Sequence, residues 1–153
     1  MPYVERTIHI EGTPREVYAM GKNLEEFPQF MSDVESITVK ERSGNRVVSE
    51  WITNVEGTPI IWTEEDIYND AKMEISYRLI EGDLEKFEGT WRFLADGTGT
   101  KTILTVDYDF GMPSLTELIG PTLELKVQEN CDMMLSAMKA KIEGLNVEGK
   151  ANV

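Results

Sequence analysis

Two periods divide this chain. Between Val34 and Phe110 apolar side chains return at every second position, the spacing of strands with one buried face. After Pro121 they return every three or four. Leu123, Val127, Cys131, Met134, Met138 and Ile142 draw one stripe, with Glu129, Asp132, Ser136, Lys139 and Glu143 opposite. Pro121 suits a first helical turn and Gly144 a stop, which predicts a helix from Thr122 to Glu143, about 33 Å long, with frayed residues beyond. Such a stripe must be buried against something, and most of what precedes it reads as strand.

The period-two region resolves into Val34–Arg42, Arg46–Val55, Pro59–Tyr68, Lys72–Ile80, Leu84–Leu94 and Thr100–Phe110. The breaks between them, such as Ser43-Gly44-Asn45 and Asp96-Gly97-Thr98-Gly99, are short and rich in turn formers, which predicts antiparallel hairpins. A further strand, Tyr3–Ile10, carries Val4, Ile8 and Ile10 on one face, with Arg6 interrupting. Thr13-Pro14-Arg15-Glu16 follows as a helix opening with a capping box, and Val17, Met20 and Leu24 form that helix's buried side. Pro28 interrupts continuation, so residues 23–31 are expected as a second short helix or irregular turn bearing Phe27, Phe30 and Met31. Ser114-Leu115-Thr116-Glu117 is another capping box, so helix can begin at Leu115 and kink at Gly120-Pro121. The order predicts an α+β fold, an antiparallel sheet with its helices on one side, in one domain over residues 1–153.

Composition narrows the function. With 15 Lys and Arg against 28 Asp and Glu, the net charge of −13 disfavours nucleic acid and anionic membranes as partners. Cys131 is the single cysteine, so neither an internal disulfide nor a cysteine metal cluster can form. The N-terminus lacks secretory-signal features and no apolar run spans a bilayer, so a cytoplasmic protein without integral membrane association is expected.

Sorted by alternation, Trp51, Trp62, Tyr77, Trp91 and Tyr108 fall on the face toward the long helix, which offers Met133, Met134 and Met138 in return. Aromatic rings with polar tips opposite flexible methionines describe the wall and floor of a cavity, with Phe27 and Phe30 at its entrance. An ordinary core would use the same residues. Glu64 shares the face of Trp62 and Tyr68; it is either a pocket carboxylate, acting as hydrogen-bond acceptor or acid–base group, or the partner of a nearby arginine. Asp66, close to the turn, is expected to have left the core. His9, the single histidine, alternates with Ile8 and Ile10 and is expected at the surface, so no catalytic triad or histidine metal site is built. Cys131 reads as a small core residue, and Gly97-Thr98-Gly99, between strands, is no phosphate loop.

Thr13-Pro14 leading to Val17-Tyr18, Glu26-Phe27-Pro28-Gln29-Phe30-Met31, Trp62-Thr63-Glu64, Glu81-Gly82-Asp83, Glu88-Gly89-Thr90-Trp91, Pro113 and the run Met134–Lys139 occur in an order that resembles the START-like superfamily, in its polyketide cyclase/dehydrase and coenzyme-Q-binding branch. The resemblance implies the helix-grip fold, seven curved antiparallel strands around a C-terminal helix with a deep apolar cavity between. It also implies a hydrophobic ligand: a lipid, quinone or polycyclic aromatic. Aromatase members look as if they use cavity arginines, whereas the matching strand here carries Glu64 and Asp66. The first expectation is therefore a cofactor-free binding module, monomer or homodimer, for an apolar small molecule. The second is an aromatase/cyclase or dehydratase with Glu64 as acid–base residue and Tyr77 or Tyr108 as proton donor. The third is a protein-interaction domain with the cavity collapsed.

Overall fold

The computed structural model describes residues 3–55, 57–109, 111 and 113–151, with side chains except at 55, 58, 113–120, 123 and 145–151. Seven strands, β1 (Tyr3–Ile10), β2 (Val34–Ser43), β3 (Arg46–Val55), β4 (Thr58–Asn69), β5 (Glu74–Gly82), β6 (Lys86–Asp96) and β7 (Gly99–Asp109), form one antiparallel sheet in the order β1-β7-β6-β5-β4-β3-β2. Every sequential pair from β2 to β7 is a hairpin, as the turn chemistry predicts. The exception is β1, which adds to the far edge beside β7. Its successor β2 lies on the opposite edge, so the segment between them must cross from one edge of the sheet to the other. That crossing is made by α1 (Pro14–Lys22), a 3-10 turn at Leu24–Glu26 and α2 (Phe27–Phe30).

The capping box is formed as expected. Thr13 accepts from the Glu16 amide at 3.2 Å and its hydroxyl donates to the Glu16 carboxylate. Val17 and Leu24 are buried and Met20 half-buried. Gly21 lets α1 sit against β6: an added Cβ would lie 2.9 Å from the Phe93 ring.

The long helix α3 (Pro113–Ala151) begins near the Leu115 start that the capping box allows and departs from expectation at its far end. It starts before Pro121, which lies inside it, and passes through Gly144 instead of stopping there. A single helical glycine costs only about 1 kcal/mol, and Gly144 does not adopt the left-handed conformation that would turn the chain out. The side chains of the Ser114–Glu117 capping box and of Leu123 lie outside the described residues, as does Phe110. Below them the stripe behaves as predicted: Cys131, Met134, Met138 and Ile142 are buried. Leu135, one step off the stripe, is also buried and only 1% exposed.

Polar contacts fix the helix's position on β1. Arg6, the interruption in the β1 pattern, makes a two-point contact with Asp132 at 2.8 and 2.9 Å. Lys139 Nζ donates to the His9 carbonyl at 2.7 Å, and Glu143 accepts from the Glu11 amide at 3.1 Å. His9 is half-exposed between Glu11 and Asp96. The result is the helix-grip arrangement that the resemblance implies. Replacing the fully enclosed Leu135 by Ala is expected to cost about 2–5 kcal/mol, measured by urea unfolding, whereas Arg6→Ala, whose ion pair is half exposed, is expected to cost under about 1 kcal/mol.

Candidate functional site

Inward-facing side chains of β3 to β7 converge with one turn of α3 on an internal cavity of about 30 Å³. Trp51, Trp62, Trp91, Tyr77 and Phe87 border it from the sheet, with Thr53 and Glu64. Asn130, Cys131 and Met134 border it from the helix. All three tryptophans of the chain therefore meet at one place. Among the described residues the space is narrower than the deep cavity expected. Ligand sites typically hold about 300–1,000 Å³, whereas this space has room for about one or two waters.

The space is small because the rings pack against one another. Trp51 and Trp62 stack with centroids 5.6 Å apart and planes 15° from parallel. Phe87 tilts against Trp62 at 5.3 Å and Tyr77 at 5.8 Å. Phe27 joins Trp51 and Trp91 at 5.9 and 6.5 Å. Phe27 is thus no entrance residue: at 1% exposure it is a junction of the ring cluster, while Phe30 is half-buried beside it. Met138 is fully buried in the core, Met133 is half-buried against it, and Tyr108 is buried away from the cavity lining. Of the expected wall and floor, Trp51, Trp62, Tyr77, Trp91, Glu64 and Met134 are brought together. Asn130 and Cys131 are the unexpected members.

Tyr77 spans the sheet's thickness. Its hydroxyl donates to the Thr105 carbonyl at 2.5 Å, where β6 and β7 interrupt their ladder. The Thr90 amide is satisfied there by the Thr105 hydroxyl at 2.9 Å. Gly89 makes this possible, since a Cβ would lie 2.0 Å from the Thr105 oxygen and 2.9 Å from the Tyr77 hydroxyl. A phenol so committed, its ionisation pushed well up by burial, is no ready proton donor to the cavity.

The charged chemistry sits on β4. Glu64 and Asp66 are 4% and 2% exposed. The expectation that Asp66 has left the core is overturned, because β4 stays paired on both sides past it, with Val47 and Tyr77 as cross-strand partners. Nor does Glu64 pair with an arginine. Arg46 and Arg78 instead bind Glu65 on the opposite face of the strand. Glu64 Oε1 accepts from the Trp62 indole at 2.9 Å, and its carboxyl is within hydrogen-bonding reach of Asp66. Asp66 Oδ1 has no partner among the described residues. Burial raises the titration of both. Next to burial, the nearby Glu64 charge pushes Asp66 well above the usual range, while the bonds from Asp66 and Trp62 partly offset the rise at Glu64. The two carboxyls titrate as one coupled pair, both shifted toward the neutral form by burial and Asp66 the more strongly.

Cys131, also on the cavity, has its thiol pushed up to about 12 by burial, so it is a neutral lining group. No cluster of potential metal ligands occurs among the described residues, and no helix there is long and apolar enough to cross a membrane. A wider hollow of about 460 Å³ lies on the sheet's outer face around Tyr3, Ile67 and Arg78, but it is an open groove without buried chemistry.

Comparison with known proteins agrees with this geometry. A family model described as polyketide cyclase/dehydrase and lipid transport matches residues 10–135. A bifunctional cyclase/dehydratase of the actinorhodin polyketide synthase from Streptomyces coelicolor is 24% identical over 143 residues; these are 92% of this chain but 44% of that protein, so the chain spans under half of the relative's length. A crystal structure of a Thermus thermophilus protein superposes with a TM-score of 0.90 at 30% identity, covering 94% of this chain and 99% of the other. A START superfamily protein from Mycobacterium smegmatis superposes at 0.81 with 17% identity, covering 94% and 98%.

An acid whose folded-state titration lies above its unfolded one favours folding only while protonated. For Asp66 that contribution is complete below the ordinary aspartate range and is lost as pH climbs through the raised value. Asp66→Asn is therefore expected to gain stability relative to the parent chain between about pH 4 and about pH 8, in urea titrations at stepped pH. A constant difference across that range would show that Asp66 is not held protonated.

Proposed function

The chain belongs to the polyketide cyclase/dehydrase and lipid transport family, and from that premise we propose that it is a single ligand-binding domain whose aromatic cavity takes an apolar small molecule such as a lipid, quinone or polycyclic aromatic. The observation that carries this reading is the convergence of all three tryptophans on one cavity that also contains a buried carboxylate. A core built only for stability gains nothing from an ionisable group at its centre, whereas a binding site uses one to orient what it holds. Flat rings supply apolar area with little side-chain entropy to lose, and Met134 adapts to the ligand's outline.

Occupancy by such a molecule requires the cavity to widen. The group best placed to yield is half-buried Phe87 in the lining, with half-buried Met133 and Phe30 elsewhere against the core, while the hydrogen-bonded sheet holds its register. The net charge of −13 suits an uncharged or cationic partner better than a polyanion.

A direct test fills the space. Cys131→Met projects a longer, flexible side chain into the cavity and is expected to weaken binding of a naphthalene-type ligand by at least about tenfold, followed by tryptophan emission, while costing no more than about 1–3 kcal/mol of stability. Equal affinity in the parent chain and the variant would mean that the ligand binds elsewhere.

A second reading, cyclisation or dehydration of a polyketide-type substrate, is favoured by one observation, the two buried carboxyls Glu64 and Asp66 side by side on β4, both with titration raised by burial. With Tyr77 engaged at Thr105 and Tyr108 outside the lining, both proton removal and return would fall to this pair. Glu64→Gln is then expected to lower kcat on a β-hydroxyketone substrate by about 100-fold or more and to remove the corresponding limb of the pH–rate profile. An unchanged rate takes Glu64 out of the mechanism.

A further inference from the structure

Glu64 and Asp66 are two buried carboxyls that no cationic side chain among the described residues faces. No lysine, arginine or histidine among them pairs with either carboxyl: Arg46 and Arg78 are engaged by Glu65, and Arg42, whose charge reaches Tyr68, is paired with Glu25. The groups that do face the pair are neutral: Trp62 on the same strand, Tyr68 beyond Asp66, Tyr77 from β5 and Cys131 from α3. The indole of Trp62 donates to Glu64 Oε1 at 2.9 Å, an interaction that favours the ionised carboxylate, and Asp66 Oδ1 stays unpartnered at 2% exposure. A buried, unpaired carboxylate is costly, so a site that retains one is complementary to a positive charge brought from outside.

The rest of the lining has the same preference. Trp51, Trp62, Trp91, Tyr77 and Phe87 line the cavity, and aromatic rings are the apolar groups that best tolerate a desolvated cation beside them. The space of about 30 Å³ is too small for a polycycle as it stands, but it is of the size of a compact polar head group. We propose that Glu64 and the surrounding rings receive the protonated amine of an otherwise apolar ligand, the amine standing against the carboxylate and the apolar body occupying the space opened between sheet and helix. The inference rests on the ligand-binding reading above and specifies the chemistry of its ligand. An acidic or neutral ligand of the same shape lacks the charge that the site is short of.

Three probes of one shape separate the possibilities: 2-naphthylmethylamine, 2-naphthalenemethanol and 2-naphthoate, titrated against the full chain at neutral pH by calorimetry and tryptophan emission. The amine is expected to bind at least about tenfold more tightly than the alcohol, with the carboxylate weakest. In Glu64→Gln, with folding checked by thermal melting, amine and alcohol are expected to bind within about twofold of each other. The ranking in the parent chain stands as a test even where the variant does not fold. If alcohol or carboxylate equals or exceeds the amine, the cation preference is overturned while the ligand-binding reading survives. A preference for the amine that persists in Glu64→Gln overturns Glu64 as its source. If none of the three binds, the ligand-binding reading falls and takes the inference with it.

Discussion

The constraint on which everything else depends is that one helix has to fill the concavity of a seven-stranded sheet. A sheet that curves this strongly exposes an apolar inner face too broad for a single row of helical side chains. The helix supplies Cys131, Met134, Leu135, Met138 and Ile142, and the remaining width is taken up by rings standing off the strands. Where large rings meet a small helical residue, as at Cys131, the packing does not close. The cavity is the geometric remainder of that mismatch, and its position is set by the one turn of α3, residues 130–134, that presents small and flexible side chains there.

Onto the border of that remainder the chain places one acid, Glu64, with a second, Asp66, buried beside it, and this separates the site from an ordinary core. Two adjacent inward positions on β4 could have carried valine or threonine, as the neighbouring strands do. Instead they carry carboxyls, one of them held by the Trp62 indole and both pushed toward the neutral form by burial. The outer face of the same strand shows the contrast: Glu65, accessible to two arginines, is held below its usual range. One residue apart, the same side chain is an ion-pair partner on one face and a buried carboxyl without a cationic partner on the other.

Much of this was legible in the sequence. The period change at Val34 and after Pro121, the turn-rich breaks and the Thr13 capping box correspond to the elements observed, and alternation placed the three tryptophans on one face correctly. What pattern could not supply was depth. Asp66 was on the inward alternation, but its proximity to a turn argued for exposure; only the continued pairing of β3 and β5 past it keeps it inside. Likewise the helical stripe does not say which turn lies over the hollow, so Met138 and Met133 were expected at the floor where Asn130 and Cys131 stand. Helix ends were the least legible, because a lone glycine and a lone proline are both weaker signals than a long, well-packed stripe.

The contact of Tyr77 with Thr105 across the gap left by Gly89 ties three strands into one mechanical unit. None of the three positions can drift by itself: a side chain at 89 displaces the phenol, and loss of the phenol orphans the carbonyl at 105. Among homologous chains, these sites should therefore change in concert, and a relative with a bulkier residue at the glycine position should be found to have given up the tyrosine as well.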